Sequence, residues 1–338
     1  DIQSAILNSK KWADKFVLNL EFPYVLPKVE DPGKKMLELF KRVGRFSKFK
    51  NNPAYMDRLK LELSVIRENG VLDLLPYFFP IAEYLSKCLE QGNLVGPARG
   101  SAGGSLISYF MGITQIDPIK YDLPFERFYS LDRALTGKIP DIDVDASHKD
   151  TLFGADGNSG WLYSTFGDSA AQVSTRTMMR LKSSIKDVNR LFNDGTVEKE
   201  IEKLSEKLPN PPQGVSDSDF LFGYKDSDGN EIEGMFFKDK DLQEYAAKRP
   251  EEWEIVKSCL GISRQNSRHA SAVIIADRPV QEIVPIMQVG ESLRVTQFEA
   301  KECESAGLIK YDFLVVKQLL DINNCLKLIN KKNNSELP

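Results

Sequence analysis

The sequence has few of the residues on which several functional classes depend. Only two histidines occur among its 338 residues, which excludes a metal site built from several imidazoles. The four cysteines form no C-x-x-C pair, which argues against a structural zinc site and a disulfide scaffold and favours reduced thiols. Any metal must therefore be held by carboxylates, and carboxylate ligands favour Mg²⁺ or Mn²⁺.

Long apolar runs and an excess of positive charge are also missing. No stretch of about 18 uncharged apolar residues occurs, and the N-terminal residues lack the basic and apolar segments of a secretory signal. These absences predict a cytoplasmic protein with no membrane partner. The formal net charge of −4 excludes a uniformly basic coat for nucleic acid, although it allows a local basic face.

The length predicts about two domains, and the hydrophobic pattern predicts an α+β fold with a helical insertion. Helical patterns cover 34–50, 53–68, 72–91 and 318–328. Strand patterns cover 138–146, 271–276, 293–299 and 308–316. Between them lie charged helical stretches at 172–193 and 196–208 and a hairpin tip at 225–234.

Three aspartates alternate with apolar residues in the run PDIDVD at 140–145. Side chains alternate between the faces of a strand, so Asp141, Asp143 and Asp145 share one face. Three carboxylates this close repel one another, and a bound divalent cation relieves that repulsion. The alternative is a solvated acidic edge strand that resists aggregation.

A fourth aspartate, Asp312, lies inside the apolar strand pattern at 308–316. A lone charge is expensive to bury unless it is paired or binds a metal. Alternation places Lys310 on the same face, so a buried Lys310–Asp312 pair is the alternative to a metal site.

A glycine-rich turn, GPARGSAGGS at 96–105, leads into a helix. Backbone N–H groups of such a turn can cradle a phosphate, and Ser101 can cap the helix or contact a phosphate oxygen. No Gly-Lys-Ser/Thr follows, so this is not a Walker A loop, and a tight turn for helix packing is the alternative. Together with the aspartates, the turn predicts nucleotidyl transfer with two Mg²⁺ ions.

A basic face is predicted between residues 171 and 190. At about 100° per residue, five cations fall within an arc of roughly 160°, opposite an apolar face. This helix suits sequence-independent contacts with phosphates, and a merely solvated face is the alternative. The cations are Arg176, Arg180, Lys182, Lys186 and Arg190.

Residues 95–145 closely resemble the active-site region of the C-family DNA polymerases, which include the catalytic alpha subunit of bacterial DNA polymerase III. The resemblance continues through SRQNSRHASAVIIA at 263–276 and TQFEAKECESAGLIKYDFL at 296–314. Ala98, Ala146 and Val315 depart from the family pattern, which suits a divergent member such as a phage-encoded or accessory copy.

The resemblance implies a polymerase-beta-like nucleotidyltransferase palm with an inserted helical thumb. The implied organisation is a tail of a preceding domain at 1–30, palm segments at 31–170 and 261–330, a thumb at 171–260 and a linker at 331–338.

The resemblance also implies roles for individual residues. Asp143, Asp145 and Asp312 would be the catalytic carboxylates that hold two Mg²⁺ ions, for which Mn²⁺ can substitute, and Asp141 would have a structural role beside them. The implied nucleotide-binding residues are Arg99, Gly100, Ser101 and Lys310. Further DNA contacts would come from Arg264, Arg268 and His269, with a packing role as the alternative for His269.

The implied function is that of a DNA-directed DNA polymerase core acting on primer–template DNA and dNTPs. A sliding clamp and other replisome proteins would be partners through regions outside this sequence. A non-catalytic DNA-binding or scaffolding relative is the main alternative, and a template-independent nucleotidyltransferase is a third.

Overall fold

The computed structural model describes residues 2–13, 15, 22–157, 159–289 and 293–333. Its α-helices are α1 (Ile2–Ala13), α2 (Pro32–Val43), α3 (Arg45–Phe49), α4 (Pro53–Ile66), α5 (Leu75–Glu90), α6 (Leu106–Phe110), α7 (Leu131–Leu135), α8 (Asp150–Phe153), α9 (Trp161–Phe166), α10 (Leu181–Phe192), α11 (Lys199–Lys207), α12 (Asp217–Phe222), α13 (Met235–Lys238), α14 (Lys240–Lys248), α15 (Pro250–Cys259), α16 (Ala300–Ser305) and α17 (Lys317–Asn333). Its strands are β1 (Asp143–Ala146), β2 (Ala170–Met178), β3 (Gly223–Lys225), β4 (Glu231–Glu233), β5 (Ser263–Ile275), β6 (Ile286–Val289), β7 (Leu293–Glu299) and β8 (Lys310–Val315). The predicted α+β class is confirmed.

The chain divides into two compact units. The first unit comprises residues 1–174 and 268–338, and the second unit comprises residues 175–267. The second unit is thus an insertion, which the chain enters along β2 and leaves along β5. The palm, thumb and linker boundaries implied by the resemblance stay predictions, and residues 334–338 of that linker lie outside the described residues.

The first unit contains a mixed six-stranded sheet in the order β1-β8-β5-β2-β7-β6. β1 and β8 are parallel, whereas β5 runs antiparallel to β8 and β6 runs antiparallel to β7. The segment before α2 joins this unit through Val25, which forms a parallel bridge with Leu308. The strand patterns at 271–276, 293–299 and 308–316 are confirmed.

Capping residues fix the helix bounds near the N-terminal end. The Asp31 carboxylate accepts a hydrogen bond from the Lys34 N–H at the start of α2 (2.9 Å), and Asn52 caps α4 in the same way. The helix predicted over 34–50 is interrupted at Gly44, whose φ of +77° suits glycine and ends α2.

The hydrophobic core of the first unit lies against one face of β1 and β8. Ile142, Val144, Tyr311 and Phe313 are buried within it. The Tyr311 ring contacts Tyr77, and their ring centroids are 5.0 Å apart. Because side chains alternate, this burial turns the aspartates of both strands toward the opposite face.

The second unit has its own apolar core and is mostly helical. Leu181, Ile185 and Val188 on α10 pack with residues of the helices from α11 to α15. β3 and β4 form the predicted hairpin around residues 225–234. Among the helices that the structure describes, none has the length and apolar character needed to cross a membrane.

The predicted helix over 172–193 is wrong for its first part. Residues 170–178 form β2, and only Leu181–Phe192 form the helix α10. β-branched residues at alternating positions, Val173, Thr175 and Thr177, favour a strand. Arg176 therefore lies on a strand and Arg180 precedes α10, so the five cations do not share one helical face.

Candidate active site

Three aspartate carboxylates converge on one face of the first unit's sheet. Asp143 on β1 and Asp312 on β8 are register partners, and neighbours in register on adjacent strands project side chains to the same face. Asp141, just before β1, joins them, and one carboxylate oxygen from each lies within 4.8 Å of the others. Asp141 is exposed, Asp143 is half-buried and Asp312 is only 8% exposed.

Two cations hold the carboxylates at the edges of this group. The Lys310 ammonium lies 2.7 Å from Asp312 Oδ2, so the pair predicted by alternation is present. On the other side, Arg99 Nη1 lies 3.1 Å from Asp145 Oδ1, and Arg99 Nε lies 3.9 Å from Asp143 Oδ2. Asp145 is thus held by an arginine and lies outside the converging group of three.

The electrostatics of the group favour a bound cation. Burial, together with the charges of Asp141 and Asp312, raises the pKa of Asp143, although Arg99 and Lys310 oppose this rise. Burial lowers the pKa of Lys310, but the hydrogen bond and charge of Asp312 outweigh it, and the pKa is raised overall. Burial first, and the neighbouring aspartates second, thus disfavour the ionised form of Asp143.

The donor set fits Mg²⁺ or Mn²⁺. These ions prefer oxygen ligands, and Mg²⁺ is held in proteins by one or two carboxylates that leave places for water and phosphate. Asp141, Asp143 and Asp312 supply oxygens close enough to share an ion. The set implied by the resemblance differs from this converging set by one residue. It contains Asp145 in place of Asp141, to which it gave a structural role.

The glycine-rich turn lies beside the Asp145 end of β1. The Gly96 N–H donates to the Asp145 carbonyl oxygen (2.9 Å), and a Cβ on Gly96 would lie 2.8 Å from the Asp145 Cβ. Residues 100–104 form a 3₁₀ turn in which Gly100 has a φ of +59°. Gly100 and Ser101 are exposed, and Ser105 rather than Ser101 caps α6.

A buried glutamate that sequence reasoning missed supports this turn. Glu62 on α4 is fully buried and accepts hydrogen bonds from the N–H groups of Leu106 and Ile107 (2.8 and 3.0 Å) and from the Ser105 hydroxyl (3.0 Å). Arg58 donates to Glu62 at 2.9 Å and also to the Gly104 carbonyl oxygen at 2.8 Å. The i,i+4 spacing of arginine and glutamate was the available signal, but it is common on exposed helices.

In the second unit, α10 carries part of the predicted basic face. Lys182 and Lys186, spaced i,i+4, line a cavity of about 530 Å³. Arg190 and Arg264 line it too, and both pair with Asp187 (2.5 and 2.9 Å). Arg180 pairs with Asp217 at 2.8 Å. Arg176 is exposed on β2.

The two remaining predicted DNA contacts lie in the first unit, on β5. Arg268 donates a long hydrogen bond to the Gln172 side chain (3.4 Å). His269 Nδ1 accepts hydrogen bonds from the N–H groups of Ser271 and Ala272 (3.3 and 3.0 Å). These contacts give His269 a local structural bond, while its predicted contact with DNA stays a prediction.

Comparison with known proteins identifies the same family as the sequence motifs did. The model of the bacterial DNA polymerase III alpha NTPase domain family matches residues 34–315. The chain is 30% identical to the DNA polymerase III subunit alpha of Aquifex aeolicus, over 99% of this chain and 30% of that protein. It is 31% identical to the DNA polymerase III alpha subunits of Bacillus subtilis and Thermus aquaticus, over 87% and 84% of this chain.

The chain spans less than a third of the length of these relatives, namely 30%, 24% and 22%. The matched region contains the glycine-rich turn and all four aspartates discussed above. Since the family model covers most of the sequence, the chain belongs to the bacterial DNA polymerase III alpha family.

Proposed function

We propose that this chain forms the catalytic core of a DNA-directed DNA polymerase, which transfers a nucleotide from a dNTP to the 3′-hydroxyl of a primer. The observation that carries the proposal is the convergence of Asp141, Asp143 and Asp312 beside an exposed glycine-rich turn. The same residues would serve a polymerase-beta-like palm, with the second unit as its inserted thumb.

Asp141, Asp143 and Asp312 are the residues that would hold two Mg²⁺ or Mn²⁺ ions, with Asp145 beside them. Such ions, when bound, lower the pKa of an attacking hydroxyl and neutralise developing charge on phosphate oxygens. Lys310 and Arg99 keep the carboxylates in position and supply positive charge near the triphosphate.

The exposed turn would bind the triphosphate. Gly100 and Ser101, the exposed residues at the start of its 3₁₀ segment, would face phosphate oxygens, since Ser105 and Glu62 rather than Ser101 satisfy the start of α6. Arg99, directly before the 3₁₀ segment at 100–104, would bridge between the triphosphate and Asp145. Gly100 suits close approach of the backbone to phosphate.

The second unit would bind duplex DNA through phosphate contacts. Lys182 and Lys186 are its best candidates, since Arg180, Arg190 and Arg264 already pair with carboxylates. The affinity for DNA would fall as the salt concentration rises, because binding releases the counterions condensed on the DNA phosphates. A cytoplasmic location and contacts with a sliding clamp and other replisome proteins complete the proposal.

Primer extension by the chain and its Asp143→Asn variant tests the function. We expect the variant to lose extension by about 10³-fold or more while it keeps most of its DNA affinity. Unchanged extension would contradict the catalytic assignment, and extension without template would favour a template-independent transferase.

A Mn²⁺ titration with dNTP and primer–template tests the same site independently of extension. We expect dNTP-dependent Mn²⁺ binding in the wild-type chain and its loss in Asp143→Asn, with Asp57→Asn as a control at an exposed aspartate. Weak and equal Mn²⁺ binding in all three proteins would favour the non-catalytic, DNA-binding or scaffolding alternative.

A further inference from the structure

A buried serine beside the converging aspartates has no part in the roles proposed so far. Ser271 on β5 is only 4% exposed, and its hydroxyl donates a hydrogen bond to Asp312 Oδ1 (3.3 Å). The other carboxylate oxygen, Asp312 Oδ2, lies 2.7 Å from the Lys310 ammonium. Protein groups therefore contact both oxygens of Asp312, one from β5 and one from β8 itself.

The backbone that carries Ser271 is held by the sheet and by a histidine. β5 lies between β8 and β2 in the sheet order, and Ala272 is the register partner of Asp312. Directly before this pair, His269 Nδ1 accepts hydrogen bonds from the N–H groups of both Ser271 and Ala272. Because the hydroxyl is buried on a fixed backbone, exchanging its carboxylate partner for water is costly.

The three aspartates of the group differ in how firmly the protein holds them. Asp312 is buried and contacted at both oxygens, whereas Asp143 is half-buried and has a longer contact, 3.9 Å, with Arg99 Nε. Asp141 is exposed. A carboxylate oxygen can accept more than one partner, so the contacts of Asp312 fix its orientation and still leave lone pairs for an ion.

The rigidity of a ligand affects which divalent cation a site prefers. Mg²⁺ requires near-ideal octahedral geometry at about 2.1 Å, whereas Ca²⁺ accepts flexible geometry at about 2.4 Å. A group that hydrogen-bonds to a ligand fixes its orientation, and its loss typically costs about 10–100-fold in metal affinity. A firmly held Asp312 should therefore favour Mg²⁺ over Ca²⁺.

We propose that Ser271 is a positioning residue, whose hydroxyl orients the Asp312 carboxylate for Mg²⁺ and so makes the site discriminate against Ca²⁺. Ser271 acts through Asp312 and need not touch the ion or the substrates. The inference rests on the proposed polymerase function, to which it adds a residue that determines ion selectivity.

Competition between cations tests the proposal without relying on activity. Electron paramagnetic resonance would measure Mn²⁺ bound to wild type and to Ser271→Ala in the presence of dNTP, with Mg²⁺ or Ca²⁺ added as the competitor. We expect Ser271→Ala to bind Mg²⁺ about tenfold more weakly and to bind Ca²⁺ no more than about threefold more weakly. Equal dNTP concentrations in all samples cancel the uptake of ions by free nucleotide.

The matched control is Ser174→Ala on β2. Ser174 is 2% exposed, and its hydroxyl donates to the Phe298 carbonyl oxygen (3.0 Å), so this variant also loses a buried hydrogen bond in the first unit. Thermal unfolding should show a similar loss of stability in both variants, while Ser174→Ala keeps the wild-type preference for Mg²⁺ over Ca²⁺.

Three results would overturn the positioning role. They are an unchanged Mg²⁺ affinity in Ser271→Ala, an equal loss of Mg²⁺ and Ca²⁺ affinity in that variant, and the same change of preference in Ser174→Ala. The last result would assign the change to lower stability rather than to the orientation of Asp312.

Failure of this inference is distinguishable from failure of the polymerase function. If wild type extends primers and Asp143→Asn does not, the function stands whatever Ser271→Ala does. If the wild-type chain shows neither extension nor dNTP-dependent Mn²⁺ binding, the function fails and the positioning role fails with it.

Discussion

The two units carry their candidate functional charges in different ways. In the first unit, carboxylates and cations from separate strands and a turn meet in a half-buried group, in which each charge depends on the others. In the second unit, Lys182 and Lys186 follow one another along a single helix and face solvent or a wide cavity.

This difference shows two routes from sequence to a charged site. A group gathered from distant segments can hold a small ion or position a reacting atom, because burial makes each carboxylate sensitive to its neighbours. A solvated helical face suits a long polyanion, whose many phosphates are bound additively and with little geometric demand. Single substitutions in the first unit should therefore have large, local effects on stability or ion binding. Substitutions in the second unit should each have a small effect on DNA affinity, and these effects should add.

The largest effect is expected where the first unit buries a charge to support its turn. Glu62→Ala removes the acceptor for two N–H groups and leaves Arg58 without its carboxylate partner, so the free energy of unfolding should fall by about 3–5 kcal/mol. Chemical denaturation measures this, with Glu68→Ala as the exposed control. A loss below about 1 kcal/mol would show that the turn does not depend on Glu62.

A second experiment distinguishes the two candidate sets of metal-binding aspartates. Asp141→Asn should weaken Mn²⁺ binding by about tenfold or more, whereas Asp145→Asn should change it little, because Arg99 already holds Asp145. Titration of each variant with Mn²⁺ in the presence of dNTP gives the two dissociation constants. The reverse order would restore the set of Asp143, Asp145 and Asp312.

The second unit should respond through salt dependence. Lys182→Ala combined with Lys186→Ala should lower the slope of log affinity against log salt by about two, with no change in preferred sequence. Binding of primer–template across a salt series measures the slope. The control, Lys225→Ala with Lys238→Ala, removes the same charge elsewhere in this unit. An equal change of the salt slope in the control would contradict a DNA-binding face localised to Lys182 and Lys186.

The smallest effect sharpens the view that the aspartates repel one another. Because the folded state raises the pKa of Asp143, protonation favours folding, and this contribution is lost as pH rises through the folded-state pKa. At neutral pH without divalent ions, Asp143→Asn should therefore be more stable, by about 1 kcal/mol at most.

Thermal unfolding with and without Mn²⁺ checks this prediction. Added Mn²⁺ should stabilise wild type more than Asp143→Asn and so remove the difference, because a ligand stabilises the state that binds it. A less stable Asp143→Asn in the absence of metal would show that Asp143 makes a favourable charged interaction instead.

Much of the fold could be predicted from local patterns. The helices α4 and α5, the hairpin of β3 and β4, the C-terminal part of β5 and the strands β7 and β8 follow from periodicity, capping and turn residues. β2 was missed, because Arg176 continues at helical spacing into Arg180 and the cations of α10, and because the strand partners of β2 lie far along the chain.

The sequence predicted each of the four aspartates of the candidate site, but not which three of them converge. Alternation gave Asp141, Asp143 and Asp145 one face, and an apolar strand singled out Asp312. Nothing local distinguishes Asp141 from Asp145, since each stands two residues from Asp143. Glu62 was missed because its partners belong to another segment.

The sequence by itself determined the α+β class, the run of alternating aspartates, the glycine-rich turn and the family. These are local properties, because they depend on neighbours within a few residues or on motif order. Only the tertiary structure decided that Asp141 joins Asp143 and Asp312, and that Arg99 holds Asp145. Pairing of β1 with β8 and the position of the turn impose that choice, and both depend on contacts between segments distant in the chain.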